Sequence, residues 1–578
     1  MHGPVRKASA AAKQALRDVA RLESTRAGSS LAPSHYSGAV PRLARAWRSL
    51  ERFADGRGAA PTVVAAALIV YALVSVALPL APGRDLGRYL VVYAQLFEKH
   101  VVYPYALLAR PPGTPLATGA LLEAGPLVAE AGAALLYALS ILAWCAVARR
   151  FGAAAAIATA AALLLYPGYV LLFHQLSSDA VFAAGFALAA WLLVRAADRP
   201  ATGRVAALGA AVAALVLIRP VAQVLLVLVL VPLVAAETWR SRLQGSAAFV
   251  LAAVLPLLAW AGHNAIRADD LTLARGGGAT LPLFRAFVAD RIVEPENGPA
   301  SRELERAVAR GLLPYEPYRS YDIDLERFFS SGSARMHEDL TGLSDRVWGW
   351  DDDYRLLGRV GREAVLAHPG TYARGVAGDV RDLLVWPLYV ETKAPALETQ
   401  ADPDRFASVV QAPDLPVPGE GEPIPSARLS SYLTTPDGSI REVWTSPTEH
   451  HIVYDDPADE ARAAAIDRRV DGLVASFPDR APRPELVDKL NSASRWFPRP
   501  VVWLVVGLVA LLVRRPRRPG VPLALAGVAL LILLATSLAV YAVAEYSVPV
   551  TPAFILLATA GLLGRRKAAR DYSRVGNA

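Results

Sequence analysis

A short polar stretch between the first two apolar runs holds the residues best suited to chemistry. It reads Arg84-Asp85-Leu86-Gly87-Arg88-Tyr89, followed by Arg110-Pro111-Pro112. A positioned carboxylate can take a proton from an acceptor hydroxyl, and guanidinium groups hold phosphate through charge-assisted hydrogen bonds. At a membrane surface such a set suits a reaction in which a lipid-linked phosphate departs. The competing reading is a charged loop lying among headgroups.

The elements that must position these residues are apolar and clustered. The chain has 578 residues, 54% of them hydrophobic, with mean hydropathy +0.32. Apolar runs near 61–82, 125–148, 152–172, 179–196, 205–218, 221–236 and 245–262 fill the first half. Runs near 500–513, 521–542 and 547–564 close the chain. Most approach the roughly 20 residues that cross about 30 Å of hydrocarbon as a helix. Backbone groups in lipid must be satisfied within the segment, which favours helices, and the alternating ten-residue segments of a β-barrel are absent. The expected fold is therefore an all-α polytopic membrane protein of about ten helices, with an inserted extracytoplasmic mixed α/β domain.

Basic residues set the expected orientation. The tail 1–60 carries 11 Lys and Arg against 4 acids, which places it in the cytoplasm. Ten spans then put Arg149-Arg150, Arg195 to Arg204, Arg240 and Arg242, Arg514 to Arg518, and Arg565 to Arg574 on that same side. The segment 263–497 falls outside, with 39 acids against 27 bases. The net charge of +8 is thus a sum of basic cytoplasmic edges, which suit anionic lipid, and an acidic external domain. It implies no nucleic-acid partner. The first apolar run begins too late for a cleavable signal peptide. Residues 41–53 read as an amphipathic surface helix or as irregular chain. The lone Cys145 lies inside the second span, where an apolar thiol is inert.

The expected organisation is a basic cytoplasmic tail 1–60, a transmembrane module 61–267 with an external loop 83–122, a soluble domain 268–497, transmembrane helices 498–566 and a cytoplasmic tail 567–578. The insert is too long for a structureless loop. Within it, Asp456-Pro457 reads as a cap and first helical residue. Ile466, Val470, Leu473, Val474 and Phe477 follow at helical spacing. Residues 352–368 and 371–390 read as helices. Pro436-Asp437-Gly438 reads as a turn, with short strands expected at 439–445 and 450–454, and 412–427 as an irregular Pro-rich crossing.

The topology sorts the remaining polar residues by depth. His174, Ser177, Ser178, Asp179, Arg219, His263, Asn264, Arg267, Glu545, Tyr546, Glu123 and Glu130 all fall on the side that holds Asp85. Charged groups near a membrane core usually face a cavity or a partner. Each has a plainer alternative: Asp179 as a helix cap, Arg219 snorkelling to the interface, Glu130 pairing with an arginine. Trp348-Gly349-Trp350-Asp351-Asp352-Asp353 reads as a helix start, with a sugar platform as the alternative. His450 and His451 point to opposite faces of a strand, and no zinc spacing or phosphate-cradling Gly-Lys-Ser/Thr loop occurs. No cofactor is implied, and a divalent cation stays open.

In order and spacing these motifs resemble the membrane glycosyltransferases of the GT-C superfamily, in the branch of the protein O-mannosyltransferases and the lipid A aminoarabinose transferase. Asp85-Leu86-Gly87-Arg88-Tyr89 matches the acidic first-loop motif, with Leu86 where the family often has a second acid. Arg110-Pro111-Pro112 matches its basic-Pro-Pro element, Ser178-Asp179 its Ser-Asp, and Arg219-Pro220 its Arg-Pro. Tyr546, Pro549 and Pro552 match its closing Tyr-x-x-Pro-x-x-Pro, with Glu545 where an arginine often stands.

The resemblance implies inverting transfer of a hexosyl or pentosyl group from a polyprenyl-phosphate donor to an extracytoplasmic glycan, lipid or protein. Asp85 would be the general base. Arg88, Arg110, Arg84 and Arg219 would hold the donor phosphate, and Tyr89, His174, Asp179, His263 and Tyr546 would contact substrate. A bacterial plasma membrane is expected. The alternatives are a lipid-linked oligosaccharide ligase or polymerase, a transporter, and a non-catalytic scaffold. Charges gathered at one surface argue against transport.

Overall fold

The computed structural model describes Arg52, Gly56 and residues 58–564, apart from 277–279, 316–317, 320, 389–423, 426–432, 445–449 and 515–518. The surface-helix reading at 41–53 lies outside the described residues apart from Arg52, as do the tail 567–578 and the crossing 412–427 apart from 424–425. The chain divides into units 1–56 and 57–578, and the second carries everything below.

The membrane half runs α1 Ala59–Ser75, β1 Ala81–Pro82, α2 Leu86–Gln95, α3 Pro104–Ala109, α4 Gly113–Glu123, α5 Pro126–Ala148, α6 Ala153–Leu164, α7 Pro167–Phe173, β2 Gln175–Leu176, α8 Ser178–Asp198 and α9 Thr202–Ile218. A 3-10 helix Pro220–Val229 then leads into α10 Leu230–Ala235 and α11 Trp239–Ala268. Among the described residues, five helices are long and apolar enough to cross a membrane, or six when the pair α6–α7, bent by 63°, counts as one. Pro167 opens α7 with Tyr166 extended before it, the conformation a following proline demands, and this produces the bend. The other four apolar runs form shorter helices. Among them, 220–235 starts as ten residues of 3-10 helix. At about 2 Å rise per residue it reaches nearly as far as a 20-residue α-helix.

Outward faces carry Leu73, Leu127, Leu139, Val234, Leu251, Leu255 and Leu512, all exposed. A multi-pass membrane protein turns such residues to lipid. Inside the bundle, Trp144, Tyr137, Phe173, Phe186, Phe249 and Phe554 are fully buried. The architecture is mostly helical, with α17 Pro484–Trp496 and α18 Pro500–Arg514, α19 Gly520–Ala539 and α20 Thr551–Leu563 completing the bundle after the insert described next.

The insert has its own apolar core, in which Leu283, Phe287, Leu304, Phe328, Leu340, Leu357 and Val360 pack together. Its helices are α12 Pro299–Gly311, α13 Ala334–Trp348, α14 Arg355–Ala367, α15 Pro369–Val385 and α16 Pro457–Val474. A small antiparallel sheet joins β3 Ile424–Pro425, β4 Ile440–Trp444 and β5 His450–Tyr454. Asp456 caps α16 by accepting from the Ala458 amide. The acids of the tryptophan-acid cluster stand at a helix start, as expected, with Asp352 accepting from the Leu356 amide of α14 at 3.3 Å. Trp348 ends α13, Gly349 takes φ +87°, and Trp350 lies in a 3-10 turn.

Trp350 stacks under Arg275, whose guanidinium is 3.4 Å from the ring centroid. Arg275 also pairs with Asp345 at 2.8 Å, and Asp345 accepts from the Tyr105 hydroxyl of α3 at 2.9 Å. A second buried arginine, Arg285, pairs with Asp290 and Asp379 and donates to the carbonyls of Ser537 at 2.6 Å and Val540 at 3.2 Å, at the end of α19. These two arginines tie the insert to the membrane half just before Arg110 and just before Glu545.

Candidate active site

The site begins with a two-residue parallel pairing. Ala81 and Pro82 of β1 lie beside Gln175 and Leu176 of β2, which brings the first loop against the start of α8. Gly83 continues the pairing by donating to the Leu176 carbonyl at 3.1 Å. A Cβ on Gly83 would stand 2.7 Å from the Cβ of Ser177, so only glycine fits there. Asp85 then takes the left-handed conformation, φ +58°. Left-handed backbone is costly for an L-residue other than glycine, and such positions cluster at functional sites. Asp85 occupies the cap position of α2, yet its side chain makes no capping hydrogen bond. It accepts instead from Arg110 at 3.3 Å.

Arg110 is placed by the turn between α3 and α4. Pro111 forces it into extended backbone, and Pro112 and Gly113 start α4 at once. Gly113 lies so close to α9 that a Cβ would meet the Leu217 carbonyl at 2.6 Å, and Thr114 donates to the Ile218 carbonyl at 3.2 Å. The same contact fixes the end of α9, where Pro220 holds Arg219 extended. Arg219 pairs with Asp179 in the first turn of α8 and lies 4.8 Å from the Tyr546 ring centroid. Asp179 thus serves as an ion-pair partner rather than a helix cap, because Arg219 takes its carboxylate.

Tyr546 joins the cluster from the 3-10 turn Ala544–Tyr546 between α19 and α20. Arg84 donates to its hydroxyl at 3.3 Å, and Glu545 stands 3.9 Å from Arg84. Glu545 is 3% exposed. Burial first, then the carboxylates of Asp179 and Asp85, push its carboxyl up to about 8, against the opposing pull of Arg84 and Arg219. Arg88 reaches the insert and pairs with Glu338 of α13 at 3.3 Å. Tyr89 lies under Arg110, with 5.9 Å from guanidinium to ring centroid.

Two sequence candidates stand apart from this cluster. His174 stacks on Tyr71 at 4.0 Å, bonds Ser75 at 3.2 Å and the Val170 carbonyl at 2.9 Å, and so ties α7 to α1. His263 stacks on Trp260 of α11 at 5.0 Å. Glu123 pairs with Arg469 at 3.2 Å and Glu130 with Arg480 at 2.6 Å, which fastens the region of α16 to α4 and α5. Sequence reasoning missed Glu338, which only the folded insert brings to Arg88.

Residues 119–263 match the family model of dolichyl-phosphate-mannose-protein mannosyltransferase. That match lies within the transmembrane half, from α4 to α11. Two solved structures of ArnT from Cupriavidus metallidurans, one apo and one bound to undecaprenyl phosphate, are similar at 18% identity and TM-score 0.29. They cover 59% and 62% of this chain and 83% and 86% of their own. No curated protein matches. The matched segment contains Asp179 and Arg219. Asp85, Arg110 and Glu545 precede or follow it and reach the same place through the contacts above.

Proposed function

We propose that this chain is a GT-C glycosyltransferase that transfers a sugar, with inversion, from a polyprenyl-phosphate donor to an acceptor outside the cytoplasm. The observation that carries the reading is Asp85, held by Arg110 in left-handed backbone, where the first loop, the start of α8, the end of α9 and the Glu545-Tyr546 turn meet. The family matched by residues 119–263 takes its name from a polyprenyl-phosphate sugar donor. Asp85 and Arg110 are each about one-third exposed, so substrate can reach both.

In this mechanism Asp85 removes the proton from an acceptor hydroxyl as its oxygen attacks the anomeric carbon. The bond from that carbon to the phosphate oxygen breaks, and the phosphate keeps the electron pair. A single displacement inverts the anomeric centre. Arg110, Arg84 and Arg219 offset the charge that grows on the phosphate, and preorganised cations in a poorly hydrated site do this well. Arg88 joins them by exchanging Glu338 for phosphate. The insert selects the acceptor, a cell-envelope glycan, lipid or protein, and Glu338 and Asp345 are two of the groups through which it touches the first loop. The basic turns place the termini in the cytoplasm of a bacterial cell and the insert outside.

The test is transfer from a panel of radiolabelled polyprenyl-phosphate sugars (mannose, arabinose, glucose, galactose) to envelope extract, with purified protein in detergent. Transfer that Asp85→Asn abolishes supports the reading and names the donor. Full transfer by a folded Asp85→Asn variant refutes the base, and no transfer from any donor refutes the reaction.

A further inference from the structure

Three carboxylates share the site, and they are not equivalent. Asp85 has Arg110 within hydrogen-bond distance, and Asp179 has Arg219. Glu545 has neither. Its Oε2 makes no hydrogen bond among the described residues, and the 3.9 Å contact with Arg84 is too long for one. Arg84 directs a nitrogen at the Tyr546 hydroxyl instead. A buried carboxylate kept for structure would be closely paired, because an unpaired buried charge is expensive. A neutral carboxyl is the cheaper state, and it carries a proton to donate. The helix α15 packs against the same turn, but its buried acids Asp379 and Asp382 are paired with Arg285 and Arg381.

We propose that Glu545 is a neutral hydrogen-bond donor to the phosphate of the lipid-linked substrate. The inference rests on the donor class proposed above. The groups facing Glu545 agree with it. Asp179 and Asp85 disfavour its ionisation, Arg84 and Arg219 favour it, and burial decides for the neutral form up to about pH 8. A phosphate adds negative charge beside it and strengthens the same preference. The arginines supply charge, while Glu545 supplies a donor that adds none. The site thus gains a hydrogen bond to the phosphate without adding fixed charge of either sign. Donor binding above pH 8 then requires uptake of one proton.

The test is binding of farnesyl phosphate to the detergent-solubilised full chain from pH 6.5 to 9.5, by calorimetry in two buffers of different ionisation enthalpy. The second ionisation of a phosphate monoester lies near about pH 6, so it is almost complete at neutral pH. In the wild type, affinity should fall about tenfold per pH unit above pH 8, with uptake approaching one proton. Glu545→Gln keeps a neutral donor and should bind with no such fall and no uptake. The infrared carboxylic-acid band of the wild type at pH 7 should be absent in Glu545→Gln. This reading requires no turnover and would register even if the variant bound lipid poorly. Equal pH profiles in wild type and variant, or no acid band at pH 7, overturn the proposal. If that happens while Asp85→Asn still abolishes transfer, the glycosyltransfer reading stands and only Glu545 loses its role. If neither farnesyl phosphate binding nor transfer is seen, both fall.

Discussion

The α-carbon of Gly83 faces Ser177 so closely that a methyl group on it would stand 2.7 Å from the serine Cβ. Both atoms are fixed to backbone, so neither can swing aside. Gly83→Ala should push the first loop off α8 and move Asp85 with it. A misplacement of about 1 Å can cost roughly 100-fold in rate, and transfer should fall by about that much. Gly83→Ala with Ser177→Gly should recover part of the loss. Transfer kinetics of the two variants check this.

Asp85 sets stability against chemistry. Its left-handed backbone is strained, and its ion pair with Arg110 is too exposed to contribute much. Asp85→Gly should therefore stabilise the fold by about 1 kcal/mol while abolishing transfer. Thermal unfolding in detergent beside the transfer assay measures both. A loss of stability in Asp85→Gly would show that the carboxylate contributes more to the fold than the backbone strain costs.

The Arg219–Asp179 pair separates holding from reacting. Asp179 is almost fully buried and Arg219 largely so. Removing one partner leaves a buried charge and typically costs about 3–5 kcal/mol. Arg219→Met alone should destabilise by that order. Arg219→Met with Asp179→Leu should regain most of it, yet should not restore transfer, since the phosphate loses a cation either way.

Glu545 gives stability an unusual pH dependence. Its carboxyl titrates near 4.5 when unperturbed and near 8 in the fold, so between these values the folded chain binds more protons than the unfolded one. Stability therefore falls as pH rises from 4.5 to 8 and this contribution is constant beyond. The ordinary paired carboxylate shows the reverse sign. Subtracting the pH–stability curve of Glu545→Gln from that of the wild type should leave a decline confined to this window.

Much of this was legible in the residues themselves. Length and hydropathy marked the apolar runs, and the motif order placed Asp85, Arg110, Asp179, Arg219 and Tyr546 in sequence. The structure brings these together because β1 pairs with β2 and because prolines hold Arg110 and Arg219 extended. Asp179 was harder, since an Asp at a helix start caps or pairs depending on a residue 40 positions away. Glu338 was invisible, since its contact with Arg88 spans 250 positions and exists only once the insert has folded. The two histidines were misleading for a physical reason. An imidazole on an apolar helix can be satisfied by stacking and one or two local bonds, as His174 is.

Arg84 and Tyr546 meet across 462 positions of chain. At roughly 5–20 residues per second, a ribosome makes the first some 20–90 seconds before the second. A nascent chain already inserted through α11 holds Asp85 but lacks Tyr546 and Glu545. Under the proposed function, such a chain has no complete phosphate site until the last two membrane helices are added.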